Sequence, residues 1–415
     1  MLKKMCGVFL VAMLICSIGA VSVWASEISP DAEAAPGAEA SGNGAEVLDG
    51  LVVGDDGATY YYENGVRQAD RWYEKDGKKY YFGTNGRMVT GMKKIDGKRY
   101  YFGADGQMAT GMTKIKDKQY YFKSNGQMAT GMTKIKGKYY YFKSNGRMVT
   151  GMKKIKGKYY YFKANGQRKT GWLHMDNGKT YYFDKKTGVR VTGKQTISHY
   201  IRYFDEKGVL YRTIDKKKKM VALTYDDGPS KDTPTILRVL KANNSVATFF
   251  VVGNRVSSYK SAVKKAYEQG CEIANHTYSH PILTRMSSAG IKSQISKTNK
   301  AVKRITGHSP KLLRTPGGAV NSTVRSAAGM PIIYWRIDTL DWKTRSASKT
   351  TSAVLNHVKD GDIVLMHDLH HSTAIASKTI IPRLVKKGYQ LVTVSELAEC
   401  RGGMKKGKVY YSFRK

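Results

Sequence analysis

Thr-Gly pairs recur every 20 residues along the first half of this chain, at Thr90-Gly91, Thr110-Gly111, Thr130-Gly131, Thr150-Gly151 and Thr170-Gly171. Tyr-Phe pairs keep the same beat at Tyr81-Phe82, Tyr101-Phe102, Tyr121-Phe122, Tyr141-Phe142 and Tyr161-Phe162. Asn-Gly or Asp-Gly follows each aromatic pair, as at Asn85-Gly86 and Asp105-Gly106, and a second turn such as Asp96-Gly97 or Lys136-Gly137 precedes it. Short aromatic strands between glycine-containing turns are the pattern of β-hairpins. A single hairpin cannot bury its aromatic face, so a tandem of them must stack into a solenoid. Weaker copies extend the array to residues 51–213, from Tyr60-Tyr61-Tyr62 to Tyr203-Phe204.

The 415 residues carry a formal net charge of +39, which favours polyanionic partners. The N-terminus helps to choose among them. Lys3 and Lys4 precede an apolar stretch from about Val8 to Val23, and Val23-Trp24-Ala25 offers a cleavage site. Residues 1–25 therefore read as a secretory signal peptide. Once it is removed, no stretch is long and apolar enough to span a membrane. An exported chain meets the cell envelope rather than nucleic acid, so the charge points to the wall. Residues 26–50, rich in Ala, Gly, Glu and Asp, read as a flexible acidic linker. Cys6 and Cys16 fall inside the signal; Cys271 and Cys400 remain and read as two buried or free thiols.

Composition changes after the charged join at Asp215–Lys219. Apolar runs at residues 221–225, 247–252, 272–275, 311–313, 332–337, 362–366 and 390–394 alternate with candidate helices near 232–242, 259–269, 287–305, 323–328, 350–358 and 377–387. Repeated strand–helix units imply a parallel sheet, and this number of strands suits a distorted (β/α) barrel with fewer than eight units. The fold class expected is thus multidomain, a β-hairpin solenoid followed by an α/β domain over 214–400, with a basic tail at 401–415.

Five groups of residues sit just after expected strands. Thr224-Tyr225-Asp226-Asp227-Gly228-Pro229 ends the first run with adjacent carboxylates that point in different directions, so that one can hold a metal while the other faces a substrate. His276 and His280, four apart, can converge on one metal with Asp227, leaving an open position for water. Arg314-Thr315-Pro316-Gly317-Gly318 offers a guanidinium and a flexible backbone N–H. Asp338-Thr339-Leu340-Asp341-Trp342 and Ile363-Val364-Leu365-Met366-His367 complete the set, with His370 and His371 as nearby rivals. Each alone is as readily a capped turn, a chance loop or a structural histidine.

In this fixed order the five groups resemble the motifs of the polysaccharide deacetylase family, the NodB-homology domain of carbohydrate esterase family four. The resemblance implies that Asp227, His276 and His280 are ligands of a divalent metal, zinc first and cobalt or another divalent ion otherwise. It implies that Asp226 is the general base, oriented by Arg314, and that His367 is the general acid. Asp341 would orient His367, with Asp338 as the alternative. Gly317 N–H would face the oxyanion, and Trp342 and Leu365 would wall the acetyl pocket. Tyr225 stands where the family commonly has Phe and is counted with the substrate-binding residues; Gly317 stands where many members have an aromatic.

The 20-residue repeats resemble the cell-wall-binding (choline-binding-like) repeats of Gram-positive surface proteins. Members that bind choline use Trp and Tyr boxes. Here Trp172 and Trp72 are present, but Met92, Met112, Met132 and Met152 follow the glycine in the central repeats, where a methionine fills a core or contacts a ring. From Gly91 to Thr170 there are 20 Lys or Arg against 3 acidic residues, which suits teichoic acid or another anionic wall polymer; a solvated, solubilising face is the alternative. Together the resemblances imply a secreted, wall-associated, metal-dependent deacetylase of N-acetylglucosamine in peptidoglycan. Acetylxylan esterase, chitin-oligosaccharide deacetylase, and a wall-binding protein with a vestigial catalytic domain are the alternatives.

Overall fold

A computed structural model describes residues 48–414. The expected signal peptide, with Cys6 and Cys16, and nearly all of the acidic linker lie outside the described residues. The chain packs as two compact units that divide between Ala109 and Thr110. Among the described residues no helix is long and apolar enough to cross a membrane.

Among the described residues the first unit holds a three-stranded sheet, Gly50–Val53, Thr59–Glu63 and Val66–Arg67, and two hairpins, Arg71–Lys75 with Lys78–Phe82 and Gly91–Ile95 with Lys98–Phe102. The two-residue turns at Asp76-Gly77 and Asp96-Gly97 carry positive φ at both positions, 46° and 75° in the second, which matches the twist of the paired strands. Phe82 and Phe102 are fully buried.

The second unit opens with hairpins of the same kind, Gly111–Ile115 with Lys118–Phe122, Gly131–Ile135 with Lys138–Phe142, Gly151–Ile155 with Lys158–Phe162, and Gly171–His174 with Thr180–Phe183. One phenylalanine per hairpin is fully buried, and the tyrosine of one hairpin packs on the phenylalanine of the next: Tyr121 on Phe142 (6.2 Å), Tyr141 on Phe162 (6.1 Å) and Tyr161 on Phe183 (6.2 Å). Burying one such ring contributes about 1.5–3 kcal/mol, which a lone hairpin cannot obtain. Met112, Met132 and Met152 do not fill this core; they are 38–44% exposed. The packing methionines are Met128 and Met148, held against Gly146 and Gly166.

The last hairpin is a three-stranded sheet, Gly193–Ile197, Tyr200–Phe204 and Leu210–Asp215. Ile201 and Ile214, both fully buried, share one core cluster with Met220, Ala222, Phe250, Val394 and Leu397. Glu396 accepts hydrogen bonds from Arg212 Nη2 (2.9 Å), Arg212 Nη1, Tyr203 Oη (2.5 Å) and Thr393 N (2.9 Å). The compositional boundary at 213/214 thus runs through a packed and ion-paired structure.

Beyond it the parallel sheet has the order β3-β2-β1-β6-β5, where β1 is Met220–Asp226, β2 Thr248–Val251, β3 Glu272–Asn275, β5 Ile337–Asp338 and β6 Asp362–His367. Bridges from Asn275 to Leu313 and from Leu313 to Ile332 carry the pairing on to β4 (Ile332–Ile333), so the expected strands at 311–313 and 332–337 appear as a single-residue bridge and a broken pair. The helices are α1 (Thr233–Ala242), α2 (Lys260–Glu268), α3 (Ser288–Thr306), the short α4 (Ser322–Ala328) and α5 (Asp341–Thr344), α6 (Ala347–His357) and α7 (His371–Lys386), the long ones flanking the sheet. Strand alternation divides β1: Val221, Leu223 and Tyr225 enter the cluster formed with α1, α2 and α7, whereas Met220 and Ala222 enter the other. Asp226 falls on the second register.

The run expected as a strand over 390–394 pairs only at β7 (Gln390–Leu391); Thr393 then caps α8 (Val394–Cys400) through a capping box with Glu396. The expected basic tail is instead part of the domain. Strand β8 (Val409–Tyr410) pairs with β4, Phe413 is 7% exposed, and Arg414 Nε lies 2.6 Å from Asp362. Cys271 is buried and Cys400 half-buried, both as free thiols.

Candidate active site

The site forms at the carboxyl ends of β1, β3 and β6. Asp226 is the last residue of β1 and lies beside His367, the last residue of β6, in the parallel register. Asp227 leaves the strand at φ 66°, which turns its side chain away from the course of Asp226. The two neighbours therefore diverge as their position at a strand tip requires.

Asp226 is 3% exposed. Its Oδ1 accepts from Arg314 Nη1 at 2.7 Å. Arg314 is fully buried and satisfied by Thr224 Oγ1 (2.7 Å), Ile333 O (3.0 Å) and Tyr334 O (2.9 Å), with Phe250 beneath its guanidinium at 4.1 Å. Burial lowers its pKa from the ordinary arginine value, and the Asp226 carboxylate opposes that. So many fixed partners give the Asp226 carboxylate one orientation.

Asp227 Oδ1 faces His276 Nε2 at 3.3 Å and His280 Nε2 at 3.2 Å. The ligand atoms of the three side chains lie within 4.8 Å of one another. His276 Nδ1 is hydrogen-bonded to the Arg314 carbonyl at 2.8 Å, so Nδ1 donates and Nε2 presents its lone pair to the cluster. His280 is positioned by a backbone φ of 62° and by its N–H donating to Thr277 Oγ1. Asp227 Oδ1 is buried with no hydrogen-bond donor directed at it. Two imidazoles and one carboxylate converging on such an orphaned oxygen are a donor set that fits a divalent cation. Burial disfavours the charged form of Asp227, but the two imidazoles and His367 hold its carboxyl well below the usual carboxylate range.

His367 Nδ1 donates to Asp341 Oδ1 at 2.8 Å, and its backbone N–H donates to Oδ2 at 2.8 Å. Asp341, fully buried at the start of α5 (Asp341–Thr344), also accepts from Thr373 Oγ1 (2.6 Å) and Trp342 N (2.9 Å). Burial works against protonating His367, but Asp341 first, then Asp226 and Asp227, raise its pKa above the ordinary histidine value. Burial also works against ionised Asp341, and His367 outweighs it, so that carboxyl is lowered. Asp338, the alternative partner, caps a turn through Leu340 N and does not reach His367 by any hydrogen bond. The rival histidines are engaged elsewhere: His370 with Arg345, and His371 Nδ1 with Asp232 at 2.8 Å.

Gly317 has φ 62°, and a Cβ there would reach only Ile282 at 3.5 Å, so backbone conformation rather than crowding favours glycine. Trp342 is 48% exposed, whereas Leu365 is buried between β1 and β5. Tyr225 does not belong to the site. It is fully buried on the opposite register of β1, stacked on Phe249 and hydrogen-bonded to Ser377 Oγ at 2.9 Å. Alternation along the strand places it away from Asp226. Thr224, Thr373 and Asp368 escaped the sequence reading. Asp368, buried directly after His367, is hydrogen-bonded to Thr233, and burial pushes its carboxyl up to about 7. Its position next to a strand-end histidine was the available signal.

The polysaccharide deacetylase family profile matches residues 213–330, and the choline-binding repeat profile matches residues 69–111, 89–131, 109–150 and 149–194. The chain is 46% identical over 183 residues to the peptidoglycan-N-acetylglucosamine deacetylase PgdA of Listeria monocytogenes, covering 44% of this chain and 39% of that protein. It is 34% identical over 193 residues to a peptidoglycan-N-acetylglucosamine deacetylase of Bacillus cereus, covering 44% of this chain and 90% of that one. The solved structure of the peptidoglycan deacetylase PdaC of Bacillus subtilis aligns at 40% identity with a TM-score of 0.44, over 45% of this chain and 93% of that one. The match therefore spans about two fifths of the Listeria relative's length.

Proposed function

Since this chain belongs to the polysaccharide deacetylase family, we propose that it is a secreted, metal-dependent deacetylase that removes acetyl groups from N-acetylglucosamine of peptidoglycan while its repeats hold it to the wall. The observation that carries this reading is the pair of buried ion pairs, Asp226–Arg314 and His367–Asp341, on adjacent strand ends beside the Asp227–His276–His280 cluster.

Asp227, His276 and His280 would hold the cation, with zinc first and cobalt or another divalent ion as alternatives. A divalent ion held there would supply Lewis acidity toward the acetamide carbonyl and toward water. Asp226 takes the proton from the attacking water, and Arg314 keeps the accepting oxygen aimed. Gly317 N–H stands by the developing oxyanion. His367, protonated through its contact with Asp341, gives its Nε2 proton to the departing amine. Water adds to the carbonyl carbon, the C–N bond breaks, and acetate and a free amine leave. Trp342 and Leu365 wall the acetyl methyl. The repeats of 51–213 bind an anionic wall polymer, and the domain over 214–400 performs the hydrolysis. Those repeats favour peptidoglycan over xylan as the polymer met in place.

The test is acetate release from purified peptidoglycan by the purified protein, before and after chelation and with zinc restored. Release that stops on chelation and returns with zinc supports the reading. Release from acetylated xylan but not from peptidoglycan would replace it with an esterase.

A further inference from the structure

One position of the repeats changes character within the second unit. The backbone N–H of Met148 donates to the carbonyl of Gln119 at 2.8 Å. The same bond in the next two hairpins joins Arg168 to Tyr139 (2.7 Å) and Arg190 to Tyr159 (2.8 Å). A methionine beside a polar residue thus becomes, twice over, an arginine beside a tyrosine. Both new pairs are in contact, with Arg168 Cζ 4.4 Å from the Tyr139 ring centre and Arg190 Cζ 4.2 Å from that of Tyr159. A lysine approaches each ring as well, Lys134 at 5.9 Å and Lys154 at 5.6 Å. The guanidiniums are wedged in place. A Cβ on Gly188 would lie 2.5 Å from Arg168 Nε, and one on Gly208 would lie 2.6 Å from Arg190 Nε.

Arg190 lines an open cavity of about 540 Å³ together with Tyr159, Tyr161, Tyr181, Glu206 and Lys207. A quaternary ammonium needs a bare aromatic face. Here the Arg190 guanidinium covers the face of Tyr159, and a second cation against Tyr161 or Tyr181 would share the cavity with Arg190 and Lys207, with Glu206 as the one acidic side chain among the lining residues. A phosphate finds the opposite situation. Arg190 donates from Nη2 to the Glu206 carbonyl at 3.4 Å and keeps Nη1 for the phosphate oxygens, and the rings of Tyr161 and Tyr181 offer flat surfaces to an adjoining polyol or sugar.

We propose that this cavity binds the phosphodiester of an anionic wall glycopolymer, with Arg190 and Lys207 on the phosphate and Tyr161 and Tyr181 against the neighbouring polyol. Arg168 with Tyr139 forms the equivalent pair one hairpin earlier. The proposal rests on the reading of the repeats as wall-binding and names the chemistry they recognise.

The test compares the purified protein with the Arg168→Met/Arg190→Met variant, which restores the residue found at 148. Circular dichroism checks that the variant folds. Titration with poly(glycerol phosphate), inorganic phosphate and choline chloride, and co-sedimentation with walls, supply the readouts. The variant is expected to bind the polymer at least about tenfold more weakly, the loss of charge-assisted hydrogen bonds, with hydrolysis of small soluble oligosaccharides unchanged. Inorganic phosphate, but not choline, should compete. Equal polymer binding by the variant, or displacement of the polymer by choline, overturns the proposal while leaving wall binding intact. Undiminished retention on walls chemically stripped of phosphate polymer assigns the contact to peptidoglycan carboxylates and also overturns it. If the unaltered protein does not sediment with intact walls, the wall-binding reading itself fails.

Discussion

Replacing Asp341 by Asn separates the charge of this carboxylate from its shape. Asp341, itself fully buried, accepts four hydrogen bonds, two of them from His367. The asparagine oxygen can still accept from His367 Nδ1 and Trp342 N, and the Thr373 hydroxyl can reverse to accept from the new amide. One donor, His367 N, is then left facing a donor, which costs about 1–3 kcal/mol of stability. In the reaction, a charge-assisted bond to the imidazolium becomes a neutral one, a loss of about 1–2 kcal/mol, so kcat is expected to fall roughly fivefold to thirtyfold. That is less than the roughly 10²–10⁴-fold expected on removing the acid itself with His367→Ala. The pH profile gives the sharper reading. The His367 pKa is raised in the folded protein, so the protonated acid, and the stability it contributes, is present at lower pH and lost as pH rises through the folded value. Without the Asp341 charge that loss moves to lower pH, and the alkaline limb of kcat should shift in the same direction. An alkaline limb that stays in place, with the metal content unchanged, would refute the assignment of His367 as the acid oriented by Asp341.

Asp227→Asn should lose bound metal and activity together, and metal retained at full stoichiometry by elemental analysis would remove Asp227 from the ligand set. Asp226→Asn should keep the metal yet lose about 10²–10⁴-fold in kcat as the base is removed; near-normal turnover would contradict the role. Glu396→Ala should destabilise the second unit by about 3–5 kcal/mol in denaturant titration, because Arg212 is left buried without its partner. A fragment beginning before Gly193 should be more stable than one beginning at Lys216, and equal midpoints would contradict the shared core of the last hairpin.

Much of the candidate site was legible because Asp226, Asp227, His276 and His367 lie at or directly after strand ends, and parallel strands bring such ends together. Asp226 and His367, 141 positions apart in number, become register partners for that reason alone. The error at Tyr225 came from reading a motif as a unit, when strand alternation sends its neighbours to opposite faces. The supporting hydroxyls of Thr224 and Thr373 carry no signal of their own, since their importance comes from partners about 90 and 32 positions distant. Strand β8 was missed because two residues among lysines show no periodicity; its pairing with β4 is a tertiary fact. In the repeats, the hairpins and their spacing were plain. Which methionine faces solvent was not, because burial there depends on the glycine of the following turn.

The buried carboxylate of Glu396 makes the final hairpin serve two structures at once. In the second unit the hairpins between Gly111 and Phe183 pack the tyrosine of one on the phenylalanine of the next and share no core cluster with the parallel sheet. The last one cannot be exchanged so freely, since its Ile201, Ile214, Tyr203 and Arg212 are fitted to α8 and β1. Within the second unit the last hairpin therefore meets the parallel-sheet domain through a packed interface with an ion pair at its centre, rather than through a slack tether. The number of hairpins before it is open to revision, while the joint at their end is fixed.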